Sequence, residues 1–215
     1  MAREKTRPEP GGGRLDDLSV PALQVHQAVL ATFVRSGQPP ARCELERLAR
    51  ERGADPGAVL TELAESDVLA FTADGRIRAA YPFSAVTTPI QVSWAGGPDA
   101  YAMCAIDALG MSAMLGRPVT ITAAEPDTGC VITVRADGDQ AGWDPQSTVV
   151  FAGSAGDADR PSADCACSFI NFFATAGNAR AWARRNPEVT GRLLTQEDAL
   201  RSGVAQFGTL LRAAP

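Results

Sequence analysis

Residues Tyr101–Gly116 read YAMCAIDALGMSAMLG, and the rest of the chain is organised around this stretch. It is almost wholly apolar with helical spacing, and its single carboxylate, Asp107, follows Cys104 by three positions. On a helix, residues three apart share a face, so thiol and carboxyl are expected as neighbours. An acid among Ala, Ile, Leu and Met has to be paired, neutral or in use, because burying an unpaired charge is costly. The bland alternative is a packing acid that meets an arginine such as Arg117 on an otherwise ordinary core helix. A second cysteine, Cys167, leads directly into another apolar stretch, SFINFFAT.

Working outward towards the N-terminus, residues 1–13 are polar and glycine-rich and are expected to be disordered. Residues 14–83 then read as a three-helix, winged-helix-like module. Leu15, Leu18, Ala22, Val25, Val29 and Phe33 mark one helical face, which ends at Gly37 and Pro39-Pro40. A second helix is expected from Cys43 to Arg52, and a third opens at Asp55-Pro56, a cap followed by a first-turn proline. VLAFTADGRIRAAYPF follows as two strands around Asp74-Gly75.

Towards the C-terminus, residues 84–215 read as a mixed α+β core of short antiparallel strands carrying the cysteine/aspartate site. Strands are expected at Ile90–Val92, Pro118–Ala123, Cys130–Arg135 and Thr148–Ala152. A polar loop leads into the Phe172-Phe173 segment, and helices are expected near Ala179–Arg185, with Trp182 inward, and near Gln196–Leu211. The fold class is therefore α+β.

Bulk properties exclude several functions. At 215 residues the chain can hold a sizeable core. A net charge of −5 argues against non-specific nucleic-acid binding. Residues 14–83 carry eight arginines against ten acids, and the third helix contributes Glu62 and Glu65 and no base, so it would repel phosphate. The only lysine is Lys5, which leaves Schiff-base chemistry without a residue. The only histidine, His26, is expected at the surface or boundary of the first helix. The N-terminus has no apolar core of a signal peptide and no run is long enough to span a membrane, so a cytoplasmic location is expected. Five cysteines in such a chain favour thiols over a disulfide framework.

Two thiolates suit a soft metal that accepts low coordination. Zinc would want four ligands, and Cys165-x-Cys167 is the only close cysteine pair. Asp107 adds a proton carrier. Moving a proton from an ordinary thiol to an ordinary carboxylate costs about 6 kcal/mol. An apolar site raises the carboxyl pKa, and metal capture of the thiolate draws the transfer forward. The product would be a neutral acid beside a sulfur-held metal, placed to protonate a carbon bound to that metal.

The helical N-terminal module, the YPFSA segment, YAMCAIDALGMSAMLGR, the turn at Thr128-Gly129 and CSFINFFAT together resemble the bacterial organomercurial lyase (alkylmercury lyase) family. The resemblance covers most of the chain. It implies that Cys104 and Cys167 bind mercury, that Asp107 shuttles the proton, and that Asp107 adds a weak third ligand. It also implies protonolysis of a carbon–mercury bond for mercury detoxification, with mercury(II) as bound product and no organic cofactor. Excess low-molecular-weight thiol, or mercuric reductase, would accept the mercury. Two departures stand out. Met103 occupies a position that is often aromatic, and Ser168 follows Cys167 where the family often has a second cysteine, the extra thiol here being Cys165. Spacing to Phe172-Phe173 assigns the active position to Cys167, with Cys165 as the alternative. Cys130 is expected to be a buried structural thiol and Cys43 incidental. The competing readings are a thiol-based metal-responsive regulator and a passive soft-metal carrier.

Overall fold

The computed structural model describes Leu15, residues 18–156 and residues 162–211; the expected disordered tail, residues 1–13, lies outside them. The first helix, α1 (Val20–Ser36), begins where Ser19 caps it by accepting a hydrogen bond from the Ala22 N–H, with Pro21 in its first turn. It ends at Gly37, whose φ of 71° lets its N–H reach back to the Phe33 carbonyl. Leu15 and Leu18 precede this helix instead of belonging to it, but both pack on the core. Ala22, Val25, Val29 and Phe33 are fully buried, as their spacing predicts. Helices α2 (Arg42–Glu51) and α3 (Pro56–Glu65) follow, the latter capped by Asp55.

Strands β1 (Leu69–Phe71) and β2 (Ile77–Ala80) form the expected hairpin. They do not stand apart: β2 pairs with β3 (Phe83–Ser84), which pairs with β5 (Ala100–Ala102). The sheet continues through β4 (Ile90–Ser93), β6 (Val119–Ala124), β7 (Val131–Asp137) and β8 (Gln140–Asp144). All eight strands are antiparallel to their neighbours. A second sheet places β9 (Val149–Ser154) between β10 (Ile170–Phe173) and β11 (Thr190–Leu194). Helix α4 (Ala105–Leu115) packs on β4 to β7 of the large sheet, on β10 of the small one, and along α7 (Gln196–Phe207). It is apolar around its whole circumference because it is covered on every side. Helix α6 (Ala176–Arg185) closes the small sheet, with Trp182 buried against Phe151 and Phe173.

Several sequence expectations change. Tyr101 belongs to β5, so the helix starts only at Ala105. Strands β8 and β11 were not expected; β8 turns only Ala141 and Trp143 towards the core, and β11 is largely exposed and lacks an apolar alternation. His26 is 1% exposed, because its side chain turns inward between α1 and the hairpin. Cys130 is exposed, since it follows the turn at Gly129 ahead of β7. No helix among the described residues is long and apolar enough to cross a membrane.

Candidate active site

Cys104 is the N-cap of α4, in extended conformation, and its sulfur accepts a hydrogen bond from the Asp107 N–H at 3.4 Å. Thiol and carboxyl are therefore neighbours through a helix cap, with Asp107 in the first turn, where the helix dipole favours negative charge. Cys167 arrives from the other sheet. Helix α5 (Ser162–Cys165) and a short 3₁₀ turn, Cys167–Phe169, deliver it just ahead of β10. One ligand atom from each of Cys104, Asp107 and Cys167 lies within 4.8 Å of the others. Among the described residues this is the one cluster of three such donors able to hold a metal ion. Cys165 is not part of it, and Cys43 and Cys130 are exposed elsewhere.

The cluster is closed to solvent: Cys104 and Asp107 are 0% exposed and Cys167 2%. Arg117 is exposed and does not pair with Asp107. Neither Asp107 carboxyl oxygen completes a hydrogen bond of ordinary geometry among the described residues. Burial, and then the charge of a Cys104 thiolate, hold the Asp107 carboxyl well above the usual carboxylate range. Burial likewise pushes the Cys104 thiol well up, reinforced by Cys167. For Cys167 the hydrogen bond to Cys104 pulls downward, but burial and the carboxylates of Asp107 and Asp67 outweigh it, and the net direction is up. All three directions favour a site that is neutral at rest.

Two residues that the sequence did not single out frame the cluster. Tyr81 is 2% exposed, and its hydroxyl is close enough to Cys167 to favour the thiolate. Asp67, at φ 53°, accepts the Ser162 N–H at 3.0 and 3.2 Å, and so ties the end of α3 to the segment that brings Cys167. Arg78 of β2 makes a second tie to the same segment, pairing with Asp164 at 2.8 Å. Asp67 offered no motif, and Tyr81 lay in the quoted YPFSA segment without any chemistry attached.

Farther out, Glu125 is a buried carboxylate whose oxygens accept the Ala174 N–H at 2.8 Å, the Asn178 side-chain amide at 3.0 Å and the Thr128 hydroxyl. It locks the turn after β6 onto the end of β10.

The comparisons with known proteins point to one family. The family model described as alkylmercury lyase matches residues 83–208. The chain is similar to the alkylmercury lyase of Streptomyces lividans, with 27% identity over 159 residues, 74% of this chain and 72% of that one. Similarity to the Staphylococcus epidermidis alkylmercury lyase has the same extent and identity. A solved structure, described as the mercury-bound form of MerB2, superposes with a TM-score of 0.74 at 26% identity, covering 92% of this chain and 94% of that one. The matched segment spans more than half of the sequence and includes α4 and both buried cysteines. The chain belongs to the alkylmercury lyase family.

Proposed function

We propose that the chain cleaves the carbon–mercury bond of organomercurials by protonolysis, with Cys104 and Cys167 binding mercury and Asp107 delivering the proton. The observation that carries this reading is the meeting of two sulfurs and one carboxyl oxygen within 4.8 Å in a site closed to water. Sulfur is the soft donor that mercury prefers. A carboxyl kept protonated by burial is an acid that can act at neutral pH.

One cysteine sulfur displaces the anion X from RHg–X, and its proton leaves the sulfur. The second sulfur then adds to mercury, and its proton passes to the carbon by way of Asp107. The electron pair of the carbon–mercury bond becomes the new C–H bond, releasing RH. Two thiol protons are spent, one on carbon and one on X. Mercury(II) remains on two sulfurs until two outside thiols take it and each cysteine regains a proton.

In this reading the enzyme serves mercury detoxification in the reducing cytoplasm and needs no organic cofactor. Low-molecular-weight thiols or mercuric reductase would accept its product. The absence of any disulfide among the five cysteines fits such a compartment. The test is phenylmercury acetate with excess thiol, assayed for benzene by chromatography. Catalytic benzene is expected; stoichiometric mercury binding without benzene overturns the reading in favour of a carrier.

A further inference from the structure

The two sulfurs of the cluster come from different sheets. Cys104 follows β5 of the large sheet, whereas Cys167 precedes β10 of the small one. Bringing both onto one mercury atom therefore depends on what holds one sheet against the other at this point. Strand β10 provides one link, because it packs on α4. Residues 67–82 provide a second, and they reach both cysteine-bearing segments.

Towards Cys104 that link is made of backbone. The Met103 N–H donates to the Pro82 carbonyl at 3.2 Å, and Phe83 of β3 lies opposite Ala102 of β5. Ala80 of β2 lies opposite Phe83 on one side and Leu69 of β1 on the other. The Tyr81 N–H donates to the Val68 carbonyl at 3.3 Å. Towards Cys167 the link is made of side chains. The N–H of Ser162, the first residue of α5, lies 3.0 and 3.2 Å from the two Asp67 carboxylate oxygens. Asp67 reaches it from a left-handed backbone position, φ 53°, which few residues other than Gly, Asn and Asp take. Arg78 pairs with Asp164 at 2.8 Å, and both side chains are half-buried, so salt screens the pair less than it would an exposed one.

We propose that Asp67 and Arg78 are positioning residues of the mercury site. They hold the segment carrying Cys167 against the hairpin that anchors Cys104, so that the second sulfur is in place once the first has captured the organomercurial. The inference rests on the protonolysis reading, and it gives a part in the chemistry to residues outside the segment that the family model matches. Neither residue is a ligand of the cluster. Capture of the organomercurial needs one sulfur, whereas cleavage needs both on the same mercury. Holding reacting groups in place accelerates the step that joins them, and a misplacement of about 1 Å can cost on the order of a hundredfold. Loss of either tie therefore slows cleavage and spares capture.

The experiment follows one turnover of phenylmercury acetate on the full chain, with the exposed Cys43 and Cys130 replaced by Ser so that capture is read at the cluster. Stopped-flow ultraviolet mercury–sulfur absorbance reports capture, and benzene reports cleavage. Asp67→Gly accepts the left-handed backbone without steric cost but removes the acceptor. Asp67→Asn keeps both, since Asn tolerates that conformation and its amide oxygen accepts a hydrogen bond. Arg78→Met keeps the apolar stem and removes the charge. Asp67→Gly and Arg78→Met should capture phenylmercury at the parent rate yet release benzene roughly ten- to a hundredfold more slowly. Asp67→Asn should release it at close to the parent rate. Parent-like benzene release from Asp67→Gly overturns the inference. Capture that slows in step with cleavage also overturns it, being the mark of a general loss of folded protein, as does an Asp67→Asn variant as slow as Asp67→Gly. Should Asp67→Gly fail to fold, an unchanged benzene rate in Arg78→Met overturns it instead. Benzene from the parent with no slowing in the variants defeats this inference alone, whereas no benzene from the parent defeats the protonolysis reading and the positioning role with it.

Discussion

Gly110 of α4 and Gly203 of α7 meet backbone to backbone. A Cβ added at Gly110 would lie 2.4 Å from the Gly203 carbonyl oxygen, and one added at Gly203 would lie 2.6 Å from the Ile106 carbonyl oxygen. The two helices can approach this closely only because neither position carries a side chain. Gly110→Ala gains up to about 1 kcal/mol of helix propensity, but overpacking against fixed backbone costs more, about 1–3 kcal/mol. The net expectation is a lower urea midpoint with an unchanged slope. Because Asp107 lies one turn away on the same helix, benzene release should fall as well. A midpoint at or above wild type would show that the helices separate without penalty.

Asp107→Asn keeps the shape of the side chain and removes the transferable proton. Mercury(II) binding should persist, while benzene release falls by roughly 10²–10⁴-fold, the usual worth of a positioned acid. Global stability should not fall, since the carboxyl has no hydrogen-bond partner of ordinary geometry to lose. Unchanged turnover would remove Asp107 from the chemistry.

The cysteines should separate sharply. Cys167→Ser replaces a soft donor inside the cluster and should lower turnover by roughly three orders of magnitude, as loss of one member of a cooperating set does. Cys165→Ser alters a half-buried thiol outside the cluster and should leave most activity intact. Steady-state assays of both variants check the assignment, and the reverse ranking would move the mercury site to Cys165.

His26 should shape the acid limb of stability. Its folded pKa of about 4 lies below the ordinary 6.5, so between these values the unfolded chain binds the extra proton. Stability from this residue is complete above pH 6.5 and is lost as pH falls towards 4, by on the order of 3 kcal/mol. His26→Met should flatten that part of the profile. Denaturation at several pH values, as the difference between variant and wild type, cancels what the carboxylates contribute. Parallel profiles would mean that His26 titrates normally.

Much of this was legible in the sequence where one segment carried the signal alone. The α1 periodicity, the Asp55-Pro56 cap and the Asp74-Gly75 hairpin needed no distant partner to be recognised. The proximity of Cys104 and Asp107 was also legible, although it arises from a cap and not from a shared helical face. The inward turn of His26 was not, because it depends on α7 and the hairpin packing over α1. Strands β8 and β11 escaped notice because β8 has only two inward apolar residues, Ala141 and Trp143, and β11 has no apolar alternation, so both take strand form by pairing with neighbours. The Gly110–Gly203 approach is invisible without the crossing of two helices about ninety residues apart in sequence.

The ties from Asp67 to Ser162 and from Arg78 to Asp164 have a practical consequence for anyone seeking a portable mercury-capture fragment. Cutting the chain ahead of residue 83, where the matched family segment begins, would discard both anchors and Tyr81, and would strip β2 from its neighbour β3. The trimmed piece would keep both sulfurs of the proposed mercury site and yet leave one of them on an untethered arm. It would be a sponge with two separate thiols in place of a catalyst with a paired one.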